Sequence, residues 1–179
     1  YGGFGAEVIS LPDGQALRVA ALGYEGALAD AMWMKAFFYY ADRAKVDPRL
    51  KLLKAFVERV TEIDPNFAQV YYWAHTLLSF GRYDLENIAF LEDATWFLKK
   101  AVRQFPNQYY FPYQLGFDYY FLYPHADPER AKDWRNEGLQ WMRLAADMPD
   151  APESLAMELT GMYSKTGQLD VEIKYLKDI

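Results

Sequence analysis

A proline recurs at the end of helix-like stretches, at Pro65, Pro106 and Pro149, at intervals of 41 and 43 residues. The residues before each one are similar: Val-Thr-Glu-Ile-Asp-Pro, Ala-Val-Arg-Gln-Phe-Pro and Leu-Ala-Ala-Asp-Met-Pro. Proline cannot continue a helix, so these prolines mark three ends of one recurring unit. Because a single helical hairpin cannot bury its apolar face alone, the recurrence predicts an all-α stack of hairpins.

Apolar residues spaced by three or four positions locate the helices of this stack. They begin at about Glu25 and predict about four antiparallel hairpins, with glycine stops at Gly81 and Gly167. Residues 25–179 are therefore taken as one helical repeat domain. Residues 1–24 are rich in glycine at the start and lack a helical period, which favours an extended lead-in segment.

Two connectors are longer than an ordinary turn between helices. The second unit has a connector from Arg82 to Phe90, which we expect to be a protruding loop or an extra helical turn. The third unit has one from Leu122 to Glu129, and it ends in Asp-Pro-Glu, a typical helix start.

Composition supports a well-buried domain and excludes several classes of function. Of the 179 residues 52% are hydrophobic and 18% aromatic, far from the composition of disordered chains. The net charge is −6 and no lysine or arginine cluster could neutralise a row of phosphates, so we expect no nucleic acid partner. The chain has no cysteine, which excludes disulfides, thiol catalysis and thiolate metal sites.

The helical units carry residues that define a known repeat family. The first helix of a unit in that family bears a Trp, an aliphatic-small pair and a Tyr at set spacings. Three units match parts of this pattern: Trp33, Ala36, Phe37 and Tyr40; Leu115, Gly116 and Tyr119; and Leu159, Tyr163 and Gly167. The chain thus resembles the tetratricopeptide repeat superfamily, with divergent repeats and enlarged connectors. The resemblance implies a right-handed α-solenoid.

The resemblance also implies a concave groove, lined by one face of the first helix of each unit, where partner peptides bind. The matched positions are mostly aromatic and almost uncharged: Met34, Phe38, Tyr71, His75, Tyr110, Tyr113, Phe117, Tyr120, Phe121, Met157 and Lys165. Two interpretations stay open. The rings fill the core of imperfect repeats, or some of them remain accessible and hold an apolar or proline-containing segment.

The last helix suggests a second surface. Its apolar residues Ile173, Tyr175, Leu176 and Ile179 are followed by no capping helix. Because the terminal unit of a repeat array needs a polar outer face, we expect this open edge to contact more chain or another subunit.

The sequence offers little for catalysis. The two histidines are His75, either a groove or a packing residue, and His125, whose acidic neighbours Asp127 and Glu129 are explained by a helix start. No phosphate loop, serine-hydrolase or zinc-protease motif occurs. The carboxylates Asp84, Glu86, Glu92 and Asp93 are typical of a solvated surface, so a hydrolase is only a distant alternative.

We therefore expect a non-catalytic scaffold or assembly subunit that holds protein partners within a larger assembly, without metal or cofactor. A binding protein for a small apolar ligand is the main alternative. No stretch is long enough to span a membrane. An anchor ahead of Tyr1 with an extracytoplasmic setting, or a cytoplasmic setting, both fit the sequence.

Overall fold

A computed structural model describes residues 12–43, 51–79 and 88–165. Within these ranges the protein is helical and contains no strand, which confirms the all-α prediction. The chain divides into two compact units, Tyr1–Val70 and Tyr71–Ile179. Gly81, Gly167 and most of the connector from Arg82 lie outside the described residues.

Unit 1 holds three helices followed by the start of a fourth. Their bounds are α1 Gly14–Ala20, α2 Glu25–Arg43, α3 Lys51–Ile63 and α4 Ala68–Ser79, of which the last continues into unit 2. Helices α2 and α3 pack against each other through buried aliphatic side chains, including Ala29, Met32, Ala36, Leu53, Val57 and Val60. This pair corresponds to the first hairpin that the sequence predicts.

Helix α1 differs from the extended lead-in expected over residues 1–24. Asp13 caps it, because its Oδ1 accepts a hydrogen bond of 2.8 Å from the backbone N–H of Ala16. The backbone N–H of Gly14 donates to Glu62 Oε2 in α3 at 3.0 Å. A cap and a contact distant in sequence thus stabilise a helix that is too short to show an apolar period. Residues 1–11 lie outside the described part.

Unit 2 contains the aromatic-rich part of the chain. Its further elements are α5 Ile88–Gln104, α6 Tyr110–Phe117, a π-helical turn Asp118–Leu122, α7 Tyr123–Ala126, a 3₁₀ turn Pro128–Arg130, α8 Ala131–Ala146 and α9 Glu153–Lys165. The first residues of the connector expected from Leu122 are therefore helical, since the π turn carries the helix of α6 on into α7.

The recurring prolines mark helix ends, as the sequence predicts. Helices α3, α5 and α8 end at Ile63, Gln104 and Ala146, two or three residues before Pro65, Pro106 and Pro149. Among the described helices none is both long and apolar enough to cross a membrane.

Two glycines set the spacing between α6 and α8. A Cβ atom built on Gly116 would lie 2.7 Å from the carbonyl oxygen of Gly138 and 2.6 Å from Cγ of Met142. A Cβ atom on Gly138 would lie 2.7 Å from both the Gly116 oxygen and the Tyr120 nitrogen. The two backbones therefore touch, and only glycine allows so close an approach. The pairing of 116 with 142 and of 120 with 138 makes the helices antiparallel.

Candidate interaction site

Four aromatic residues form a strip along α6 and the π turn. The aromatic strip consists of Tyr110, Tyr113, Phe117 and Phe121, whose spacings of three and four residues place them on one face of a helix. Tyr110, Tyr113 and Phe117 are half-buried, and Phe121 is 39% exposed. The rings of Phe117 and Phe121 lie 4.7 Å apart. The strip thus lines one helix face with aromatic side chains that are neither sealed in the core nor fully in solvent.

Neighbouring helices of unit 2 hold the strip on both sides. The ring of Tyr72 in α4, itself exposed, lies 4.7 Å from the ring of Tyr110. On the other side, the Tyr113 hydroxyl donates a hydrogen bond of 3.4 Å to Glu158 Oε1 in α9. Tyr113 and Phe117 also pack against the buried cluster that includes Leu159. Their orientation is therefore fixed by contacts on three helices.

The two tyrosines of the strip are neutral at physiological pH. Burial raises the pKa of the Tyr110 hydroxyl well above its usual value of about 10, and a hydrogen bond with Tyr72 adds to this effect. Burial also raises the pKa of Tyr113, and the negative charge of Glu158 acts in the same direction. The strip therefore presents aromatic faces and neutral hydroxyl groups, without a charge of its own.

A buried polar pair supports the strip from below. Nε2 of His75 in α4 and Oδ2 of Asp118, the first residue of the π turn, are joined by a hydrogen bond of 2.7 Å. The side chains are 1% and 0% exposed. The second carboxylate oxygen of Asp118 accepts from Gln114 Nε2 at 3.4 Å. Because a buried carboxylate is costly unless it is hydrogen-bonded, this pair fixes how α4 meets the helix of the strip.

The pair does not form an accessible catalytic site. A histidine and an aspartate at this distance can serve as a base and its orienting group, but the base must reach a substrate. His75 and Asp118 are both buried, at 1% and 0% exposure, so a substrate cannot reach the imidazole in this structure. We assign the pair a packing role, which is one of the two roles that the sequence left open for His75.

The structure separates the predicted groove residues into two groups. The first group is exposed or half-buried and consists of Met34, Phe38, Tyr110, Tyr113, Phe117, Phe121, Met157 and Lys165. Those that are buried are Tyr71, His75 and Tyr120. Tyr71 packs edge-on against the ring of Phe105 at 5.6 Å, so it belongs to the core of unit 2. Met34 and Phe38 lie on α2 in unit 1.

Other predicted residues carry no chemistry that the structure brings together. The open-edge residues Ile173, Tyr175, Leu176 and Ile179 lie outside the described residues, as do Asp84 and Glu86. Asp127 accepts a hydrogen bond of 3.1 Å from Trp134 Nε1, while its side chain makes no helix-capping hydrogen bond. In the described ranges no three His, Asp or Glu side chains are grouped closely enough to hold a metal ion.

Sequence reasoning missed a positively charged recess in unit 2. We call it the basic recess: about 380 Å³ in volume, it is lined by Tyr120, Lys132, Arg135, Asn136 and Lys165. Of these five residues, the sequence placed Tyr120 and Lys165 on a binding surface but not Lys132, Arg135 or Asn136. Lys132 and Arg135 are three residues apart at the start of α8, so their spacing predicts that they share a helix face. The spacing gives no sign that Lys165, at the end of α9, lies beside them.

The chain was compared with protein-family models, curated protein sequences and solved structures, and none of the three comparisons found a match. The resemblance to tetratricopeptide repeats therefore depends on the residues and the helices alone.

Proposed function

We propose that this protein is a non-catalytic interaction scaffold and that unit 2 binds a segment of a partner polypeptide on the aromatic strip. The observation that carries the proposal is the partial exposure of Tyr110, Tyr113, Phe117 and Phe121 along one helix face. Aromatic side chains of this kind supply much of the binding energy at protein interfaces, because they bury a large area at little cost in side-chain entropy.

The layer beneath the strip is already complete, which supports a binding role over a packing role. Leu115 and Phe111 on the opposite face of α6 are buried, and each oxygen of the Asp118 carboxylate takes part in a hydrogen bond below the strip. The strip therefore has an inner face that is packed and an outer face that is available. Several aromatic side chains with accessible surface on one helix face, including Phe121 at 39% exposure, are typical of an interaction surface, whereas a single exposed ring would not be.

The chemistry of the strip specifies the kind of partner segment. Its rings are uncharged, and its tyrosine hydroxyls can each exchange a hydrogen bond with a peptide backbone. A segment with aliphatic, aromatic or proline residues would bury its side chains against these faces and keep its backbone hydrogen-bonded to the tyrosines. We therefore propose an apolar segment as the partner.

We further propose that the helices form a right-handed solenoid of the tetratricopeptide type. Support comes from the succession of packed helices in unit 2, where α6 contacts α5 and α8, and α8 contacts α9. The antiparallel crossing of α6 and α8 at Gly116 and Gly138 is the arrangement expected within one hairpin. In this arrangement α4, α6 and α9 would present the binding face, which is where the aromatic strip lies.

The proposal is tested with peptides selected for binding to the whole chain from a displayed random library. Phe121→Ala should weaken the selected peptides at least tenfold, because it removes an accessible ring from the strip. Leu144→Ala is the matched control, since Leu144 is similarly exposed, at 43%, but lies on α8 away from the strip. Both variants should remain folded, as judged by far-ultraviolet circular dichroism and a cooperative melting transition. Equal affinities of the two variants, or no enriched peptide at all, would contradict the proposal.

A further inference from the structure

The basic recess concentrates positive charge in a chain that is acidic as a whole. Lys132 and Arg135 from the first turns of α8 and Lys165 from the last turn of α9 converge on a volume of about 380 Å³. The chain as a whole has 25 acidic and 19 basic residues. The recess therefore carries a local positive charge in a chain whose net charge is negative.

The three cations are not neutralised by the described part of the protein. None of Lys132, Arg135 and Lys165 forms an ion pair within residues 12–43, 51–79 and 88–165, whereas Arg59 pairs with Glu62 at 2.7 Å. The acids Asp133 and Glu137 of α8 line a neighbouring recess, which shares only Asn136 with the basic recess. Like charges three residues apart on a helix repel each other, so a bound anion would stabilise this arrangement.

The basic recess adjoins the Phe121 end of the aromatic strip through the largely buried ring of Tyr120. Tyr120 lines the recess, and its ring lies 4.8 Å from the ring of Phe121 at the end of the strip. The ring of Phe121 is in turn 4.7 Å from that of Phe117. A single extended segment can therefore lie on the strip and reach the recess with its next few residues, since each extended residue spans about 3.3 Å.

We infer that the basic recess binds the carboxylate side chains of a partner segment, so that the polypeptide recognised by this protein has apolar residues next to Asp or Glu. This inference rests on the proposed function of the strip. The arginine and the two lysines that line the recess supply the donors that carboxylates prefer. The neutral strip gives contact area, and the recess selects the charge of the partner.

The test uses two labelled peptides and the whole chain. One peptide has two Phe and one Pro followed by three Asp, and the other has three Asn in place of the three Asp. Their affinities are measured by fluorescence anisotropy at low and at moderate salt. We expect the Asp peptide to bind about tenfold more tightly, because three screened charge contacts each contribute about two- to threefold. The advantage should shrink at the higher salt concentration.

Substitutions identify the recess as the source of that advantage. Lys132→Gln, Arg135→Gln and Lys165→Gln combined should abolish the preference for Asp and leave the affinity for the Asn peptide unchanged. The matched control combines Arg18→Gln, Lys35→Gln and Arg103→Gln, which removes the same charge from exposed positions elsewhere. The control should keep the preference. An equal loss in both triple variants would show a general charge effect and overturn the inference.

The remaining outcomes of the peptide-binding test also distinguish the inference from the proposed function. Equal binding of the two peptides to the wild type, with loss of both on Phe121→Ala, overturns the inference and leaves the proposed function standing. No binding of either peptide counts against both. Displacement of the Asp peptide by inorganic phosphate but not by succinate would assign the recess to phosphate groups and overturn the carboxylate assignment.

Discussion

The backbone contact between α6 and α8 makes a sharp prediction about Gly138. In the substitution Gly138→Ala, the new Cβ would lie 2.7 Å from the Gly116 oxygen, 2.7 Å from the Tyr120 nitrogen and 2.9 Å from Tyr120 Cβ. Ordinary contacts of a Cβ atom begin at 3.4 Å. The first two neighbours are backbone atoms, which cannot rotate away, so the helices must separate by roughly 0.7 Å.

The expected loss of stability follows from two opposing contributions. Overpacking a close contact costs about 1–3 kcal/mol and sometimes more, and a backbone clash belongs at the upper end of that range. Replacing glycine by alanine inside a helix recovers about 1 kcal/mol through helix propensity. Gly138→Ala should therefore lower the free energy of unfolding by about 2 kcal/mol, which corresponds to a decrease of about 1 M in the urea midpoint.

Gly161→Ala in α9 is the matched control, because a Cβ on Gly161 would have nothing within 4 Å. That variant keeps only the propensity gain and should raise the free energy of unfolding by about 0.5–1 kcal/mol. Urea unfolding of both variants, followed by far-ultraviolet circular dichroism, gives the comparison. If Gly138→Ala were as stable as Gly161→Ala, the close approach of α6 and α8 would be refuted.

Three further predictions concern other parts of the protein. Asp118→Ala should lower the free energy of unfolding by about 3–5 kcal/mol, because it removes the buried partner of His75. Adding His75→Leu should recover part of this loss. Additive effects of the two substitutions in urea unfolding would disprove the coupling. Burial, reinforced by Glu137, raises the pKa of Tyr119 to about 12. The stability from its neutral hydroxyl is thus complete below about pH 10, the unfolded value, and should decline as pH rises towards about 12. Tyr119→Phe should flatten this decline in urea midpoints, and an unchanged slope would contradict the assignment. Leu22 has a φ of 50°, in the left-handed region that asparagine tolerates better than leucine. Leu22→Asn should therefore relieve about 0.5–1 kcal/mol of backbone strain and raise the thermal midpoint. A lower midpoint would count against that strain.

Most helices of this protein could be predicted from the sequence, because the signals that end a helix are local. Proline ends a helix wherever it stands, so Pro65, Pro106 and Pro149 located the ends of α3, α5 and α8. Helix α1 was missed because its stability comes from the cap at Asp13 and a contact with α3. Seven residues are too few to display an apolar period.

The candidate site could be predicted from the sequence only in part. The spacing implied by the repeat resemblance placed Tyr110, Tyr113, Phe117 and Phe121 on one helix face, but it also included Tyr120, which is buried. It could not tell that Tyr71 and His75 are buried, since burial depends on which helix lies opposite. The lone carboxylate of Asp118 within an aromatic run was the available signal for a buried polar pair.

The bare contact of Gly116 with Gly138 has a consequence for how tightly a ligand could be held. Side chains that separate helices can change rotamer and let the helices shift, whereas two backbones in contact have no such adjustable spacer. The helix that bears the four rings is thus a stiff template, already in its final shape before anything docks. Little conformational entropy would be lost on association, so even a short peptide can be bound with useful affinity.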